Sequence, residues 1–307
     1  MKPAFSTIAC PSWTLTRVAE TAGRIGALGV ELRTFGRGST SLACDPTLTS
    51  EAKVRSLFDK VGVVPFCLAT SVRFDAPIFP PVIGRAFGDT EASVREGKSA
   101  VDLARELEIP YVRVFAFELH GDESRKGGIA RIMERLTKVL DHCRNTGVKL
   151  LIENGGSFPT ATDLAELIDR AASPLLDAAY CPAVAALAGE SVVSGVNVLG
   201  DRLAAVKLRD LKAGRACAIG SGDLHAGETI DVLRADGYDG WVVAELDLAW
   251  LPAPVPTAPK GKGAKAAPPA GPDAEAILSD SVRFIYDRMG SKRESVPGTP
   301  RAAAQHS

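Results

Sequence analysis

The chain has 307 residues, with 36 Lys and Arg against 37 Asp and Glu and a formal net charge of −1. That length holds one large domain or two ordinary ones, each with a sizeable core. The balanced charge speaks against a general nucleic-acid binder, which carries a basic excess, and no apolar run approaches the ~20 residues of a membrane helix.

The first ten residues carry one Lys and a short apolar stretch, too little for a signal peptide. Six Cys stand far apart with no CxxC pair. A disulfide framework or structural zinc site is therefore not expected, and a reducing cytoplasm is the expected compartment. Four His, one of them in the C-terminal tail, are too few for a site built on a histidine cluster.

In chain order, near-continuous apolar runs predict strands over 4–9, 29–33, 63–69, 111–117, 149–153, 175–181, 204–208 and 241–246. Helical spacing falls between them. It predicts helices over 15–28 behind a Ser12 cap, 50–61, 90–107, 128–146, 160–171 opening on Thr160, 227–236 and 273–289. A helix over 182–200 is weaker, because Ser191-Val192-Val193-Ser194-Gly195 interrupts its pattern.

Eight strand–helix units predict an α/β fold, a single-domain (β/α)8 TIM barrel, typically ~250 residues before insertions. A doubly wound sheet is the competing solution, but Cys10-Pro11-Ser12-Trp13 after the first strand cannot form its dinucleotide loop. The expected organisation is barrel over 1–250, a flexible Pro/Ala/Lys linker over 251–272, the last helix over 273–289 and a disordered tail over 290–307.

Catalytic groups of such barrels come from the C-terminal ends of strands. That rule selects Glu31 and Arg33, Arg73 and Asp75, Glu118 and His120, Glu153 with Asn154, Cys181, Lys207 with Arg209 and Asp210, and Glu245 with Asp247. His142 and His225 fall elsewhere and are weaker. Gly220-Ser221-Gly222-Asp223 reads as a turn first and an anion cradle second. Trp13, Phe74 and Trp250 either wall a pocket or pack between elements.

Five segments in this order resemble the xylose isomerase-like TIM barrels, the sugar phosphate isomerase/epimerase group. They are Ser6–Trp13, Gly29-Val30-Glu31-Leu32-Arg33, Ile152-Glu153-Asn154, Gly220-Ser221-Gly222-Asp223 and Gly237-Tyr238-Asp239-Gly240-Trp241. The resemblance implies a divalent metal, Mn or Mg, held by a Glu, an Asp, a His and a Glu from the last four strands. Glu153 and Glu245 match the two glutamates. Cys181 stands where the family has its Asp, Lys207 where it has its His, and Val184 where it has a substrate-contacting His. A thiol is soft and an ammonium cannot ligate, so no cofactor and no metal are expected. The exchange conserves charge. Three carboxylates with a divalent ion leave one negative charge, and so do two carboxylates with an ammonium and a neutral thiol.

Glu153, Glu245 and Lys207 are the expected catalytic set, and Arg209, Cys181, His120, Arg73 and Trp13 the expected substrate contacts. Each has a plainer reading. The glutamates and Lys207 form an ion pair, Cys181 is an inert buried thiol, His120 lies on a loop surface, and the arginines are solvated. The resemblance implies a sugar or polyol substrate and a sugar isomerase, epimerase or dehydratase, and it is compatible with a homodimer. The alternative is a catalytically silent barrel that binds a sugar-like ligand or a protein. A metal-dependent nuclease of the same superfamily is set aside, because it needs several metal-binding histidines.

Overall fold

A computed structural model describes residues 1–34, 51–77, 89, 91–121, 123–246 and 273–290. The expected linker over 251–272, Asp247, Trp250 and the tail beyond Gly290 lie outside the described residues.

Eight parallel strands close on themselves. They are β1 (Lys2–Ser6), β2 (Gly29–Arg33), β3 (Val64–Arg73), β4 (Tyr111–Phe115), β5 (Lys149–Glu153), β6 (Leu176–Tyr180), β7 (Leu203–Leu208) and β10 (Trp241–Ala244). The order around the barrel is β1-β10-β7-β6-β5-β4-β3-β2. Between β7 and β10 a small antiparallel ribbon forms from β8 (Leu211–Lys212) and β9 (Arg215–Ala216). The helices are α1 (Leu15–Ile25), α2 (Glu51–Asp59), α3 (Ala92–Glu106), α4 (Arg125–Cys143), α5 (Ala161–Ala171), α6 (Pro182–Leu187), α7 (Val192–Leu199), α8 (Ala226–Ala235) and α9 (Ala274–Met289). None of these helices is long and apolar enough to cross a membrane.

Side chains alternate across a strand, and this divides the apolar residues into two cores. Outward residues such as Phe5, Val30, Val112, Ile152 and Val206 pack against the helices. Inward ones, Ala4, Cys67, Leu151, Ala179, Ala205 and Val243, fill the barrel with Phe66, whose ring stacks on Trp241 at a centroid distance of 4.4 Å. Two residues further along the same faces come Ser6, Glu153, Cys181, Lys207 and Glu245. The strand period therefore aims these side chains into the barrel at its C-terminal end.

Local chemistry moves several expected boundaries. The first helix is capped by Thr14, whose Oγ1 accepts from Arg17 N–H, and not by Ser12. Residues 7–9 form a single 3-10 turn and do not extend β1. The expected helix over 182–200 is two helices, because Gly189 turns the chain at φ +84 and Ser191 caps the second. Thr160 and Asp163 form the expected start of α5 as a reciprocal capping box. β4 stops at Phe115, and Phe117 takes φ +79.

Candidate functional site

Each barrel strand from β4 to β10, and β2 as well, sends a charged or thiol side chain inward near its end. The result is a chain of alternating charges. Arg113 on β4 donates from Nη1 to Glu153 Oε2 at 2.6 Å and from Nη2 to the carbonyl of Thr70 at 2.9 Å. Arg209, just past β7, donates from Nη2 to Glu153 Oε1 at 3.2 Å and from Nε and Nη2 to Glu245 Oε2 at 3.0 and 2.9 Å. Lys207 Nζ lies 3.1 Å from Glu245 Oε1 and donates to Glu31 Oε2. All six residues are buried, none more than 3% exposed. Three carboxylates thus meet three cations, and the cluster is neutral.

Burial and pairing oppose each other here, and pairing wins. Burial alone raises the Glu245 carboxyl, but Lys207 and Arg209 outweigh it and hold the group well below the usual carboxylate range. Burial lowers Lys207, yet Glu245 and Glu31 raise it above an ordinary lysine. Arg113 is likewise lowered by burial and raised further by Glu153 and Glu31. Burial pushes the thiols of Cys67 and Cys181 up, with Glu31 adding to Cys67 and Glu153 and Glu245 adding to Cys181. Both sulfurs are therefore kept as neutral thiols.

The donor set does not fit a divalent metal. The oxygens of Glu153 and Glu245 are already taken by guanidinium and ammonium groups, and a doubly charged ion would lie among three fixed cations. Among the described residues, no group of three or more His, Cys, Asp and Glu is placed to hold a metal. The charge count read from the sequence is corrected as well. Glu31, Arg113 and Arg209 join Glu153, Glu245 and Lys207, and the sum is zero, not one negative. A neutral residue at position 181 follows from that balance, because an Asp there would add an unpaired carboxylate.

The structure places the remaining sequence candidates in varied settings. The Cys181 N–H donates to Asn154 Oδ1 at 2.7 Å, and Asn154 returns a bond from Nδ2 to the Cys181 carbonyl at 3.1 Å. Asn154 thereby ties the ends of β5 and β6. His120 Nε2 lies 2.7 Å from the Asp75 carbonyl. A carbonyl only accepts, so Nε2 carries the proton and is committed as a donor. Arg73 lies over the Phe117 ring at 4.4 Å. Trp13 packs in the outer apolar core beneath Arg17 and does not join the ion chain. Val184 packs with Cys181, Ala183 and Leu211. Phe74 is fully buried. His142 pairs with Asp102 on the outer surface at 2.9 Å.

The Gly220–Asp223 turn cradles an anion that belongs to the chain itself. Asp210 Oδ2 accepts from Gly220 and Gly222 N–H at 2.8 and 3.0 Å, and Oδ1 from Leu211 and Leu224 N–H at 3.0 and 3.1 Å. Asp210 is thus a loop organiser, and these donors are spent.

Sequence reasoning missed Arg113 and left Glu31 as a strand end without a role. A signal for Arg113 was present: a lone charge inside the apolar run Tyr111-Val112-Arg113-Val114-Phe115 has to be buried and paired.

A profile of the xylose isomerase-like TIM barrel matches residues 19–275, and the chain belongs to that family. Among solved structures, the chain is similar to a D-allulose 3-epimerase from Methylomonas sp., with 14% identity, 94% of this chain and 98% of that chain covered, and a TM-score of 0.69. An L-ribulose 3-epimerase matches with 14% identity, 94% of each chain covered and a TM-score of 0.71. The IolI protein, solved with a bound zinc atom, matches with 15% identity, 94% and 98% covered and a TM-score of 0.71. No curated protein sequence matches the chain.

Proposed function

We propose that this protein is a sugar- or polyol-directed isomerase/epimerase-type barrel in which an internal ion chain has taken over the charge role of the family's divalent metal. The observation that carries the reading is the alternating run Arg113–Glu153–Arg209–Glu245–Lys207–Glu31 at the C-terminal ends of the strands. Sugar isomerisation needs a carboxylate beside the carbon that loses a proton and a positive charge beside the oxygen that gains electrons. Glu153 and Glu245 supply the first, and Arg209 between them, with Lys207, supplies the second.

In the proposed step, a carboxylate takes the proton from the carbon next to the substrate carbonyl. The C–H electron pair becomes the enediolate double bond, and the carbonyl electrons move onto its oxygen, which faces the cations. For isomerisation, the carboxylic acid just formed returns the proton to the former carbonyl carbon while the hydroxyl proton on the first carbon passes to the oxyanion, so the new carbonyl stands on the first carbon and the enzyme ends as it began. Before this, the substrate has to replace one of the guanidinium contacts on the reacting carboxylate. The depressed pKa of Glu245 makes that carboxylate a weak base, and the exchange adds to the barrier.

One observation favours a second reading, a silent barrel that binds a sugar-like ligand or a partner protein. Every carboxylate of the cluster is paired and buried, the state expected of a structural ion network. Solvent-deuterium exchange into ketoses and inososes, followed by NMR, separates the two. Exchange that Glu153→Gln and Glu245→Gln each abolish supports the enzyme. Sugar binding with no exchange for any substrate supports the silent barrel.

A further inference from the structure

A second polar group stands at the end of β3, outside the ion chain, and the turn that carries it is firmly clamped. Arg135 of α4 donates from Nη1 to the carbonyls of Phe74 and Ala76 at 2.8 and 2.6 Å. Arg131 donates from Nη1 to the carbonyls of Asp75 and Ala76 at 2.5 and 3.2 Å, and His120 Nε2 donates to the Asp75 carbonyl at 2.7 Å. Three basic side chains thus fix the backbone over residues 74–76. None of these bonds reaches the Asp75 side chain.

That side chain is the anomaly. Asp75 is 4% exposed, yet among the described residues no hydrogen bond reaches its carboxylate. Its one charged contact is Arg73 Nε, 3.4 Å from Oδ1. Neither carboxylate oxygen is among the fully buried, unsatisfied atoms, so the group keeps a narrow opening through which a further partner can reach it. Arg73 is the opposite case. Its side chain is 42% exposed, its guanidinium carbon lies 4.4 Å from the centroid of the Phe117 ring, and no hydrogen bond from its Nη groups ends on a described residue.

The platform under Arg73 is itself strained and held. Phe117 has φ +79, rare for a bulky side chain, and its carbonyl accepts from Ser157 N–H at 2.8 Å. A Cβ on Gly156 would come within 2.4 Å of that carbonyl oxygen, so only glycine fits there. Strain kept in place by its surroundings concentrates at functional sites.

We infer that Arg73 and Asp75 form a hydroxyl-binding subsite for a vicinal diol of a neutral sugar or polyol. One hydroxyl donates to the Asp75 carboxylate and its neighbour accepts from an Arg73 Nη group. The pair offers one anionic acceptor beside one cationic donor, and two adjacent hydroxyls answer both. A phosphate or carboxylate ligand meets the Asp75 charge at the guanidinium, and a cationic ligand meets Arg73. Position agrees with the assignment. Arg73 is in register with Phe115 and Phe115 with Glu153, which puts the dyad one strand from β4, the strand of Arg113, and two strand spacings, roughly 10 Å, from Glu153. An open-chain hexose together with the two side chains spans that interval. The inference rests on the sugar-directed reading proposed above and deepens it.

The test measures binding directly and needs no turnover. The full-length protein is titrated by calorimetry and saturation-transfer NMR with D-fructose and myo-inositol, and with fructose 6-phosphate and gluconate as charged controls. The subsite predicts that the neutral compounds bind, and that Asp75→Asn and Arg73→Met each raise Kd tenfold or more with thermal unfolding unchanged within two degrees. Arg73→Lys keeps one donor and is expected to lose less affinity than Arg73→Met. If the parent binds a neutral compound and both variants bind it equally well, the subsite assignment is wrong while the sugar-directed reading stands. Preference for the phosphate or the carboxylate overturns the choice of a neutral diol. Failure of the parent to bind any of the four overturns both readings.

Discussion

Lys207 offers the most direct measure of the ion chain. In Lys207→Met, Glu245 keeps its contacts to Arg209, but Glu31 loses the one cation hydrogen-bonded to it among the described residues. Removing one partner of a buried pair and leaving the other charged costs ~3–5 kcal/mol. At ~2–4 °C per kcal/mol for a domain of this size, the midpoint of thermal unfolding falls by roughly 6–20 °C at pH 8. Urea unfolding at pH 8 measures the same gap at equilibrium. Replacing both partners, Lys207→Met with Glu31→Leu, recovers most of the loss, because a buried pair exchanged for apolar groups of similar volume is close to neutral. A single variant that melts within one degree of the parent at pH 8 refutes this account of the cluster.

Four further outcomes follow from the same geometry. Stability of the parent has an acid and an alkaline edge: the depressed Glu245 contributes fully above its unfolded ~4.3 and is lost as pH falls below it, and the raised Lys207 contributes fully below its unfolded ~10.4 and is lost as pH rises. Denaturant titrations across pH, set against the apolar double variant, read both edges. Elemental analysis after dialysis is expected to find no stoichiometric Mn, Mg or Zn, and a retained ion held by Glu153 and Glu245 contradicts the fit argument. Restoring the family's ligand types with Cys181→Asp and Lys207→His gives little Mn²⁺ affinity by calorimetry while Arg209 still bridges Glu153 and Glu245, and adding Arg209→Ser is expected to release it. Asp210→Ala strands four backbone donors and costs ~2–4 kcal/mol, with faster proteolysis over 211–224 as the local sign.

Much of the fold was legible because it rests on local periodicity. Lys149–Glu153 appears as a strand with the expected bounds, since five residues with an apolar centre leave little freedom. Boundaries failed where one side chain or one turn decided them. Thr14 and not Ser12 satisfies the first helix, and Gly189 with Ser191 splits the expected helix over 182–200. The candidate site was legible in part. Glu153, Glu245 and Lys207 are placed by strand parity, and parity is a sequence property, so the expected contact of Lys207 with Glu245 is present. Arg113 and Glu31 went unassigned because their partners lie on strands 40 and 176 residues away.

The sequence by itself determined that alternating strands and helices would close into a barrel, and that charged residues at strand ends would point into it. The resemblance of five segments implied in addition that an ammonium and a thiol stand where the family has metal ligands. Only the tertiary structure decided which charge answers which. Ion pairing depends on distances between side chains from strands that meet through barrel closure. The same residues in the same order yield a neutral chain of six charges only because β2 comes to lie within reach of β7, and β4 beside β5. Asp210 makes the same point on a smaller scale. Its four donors come from a loop whose path no local rule encodes, and the carboxylate fills the glycine turn that the sequence left open to an outside anion.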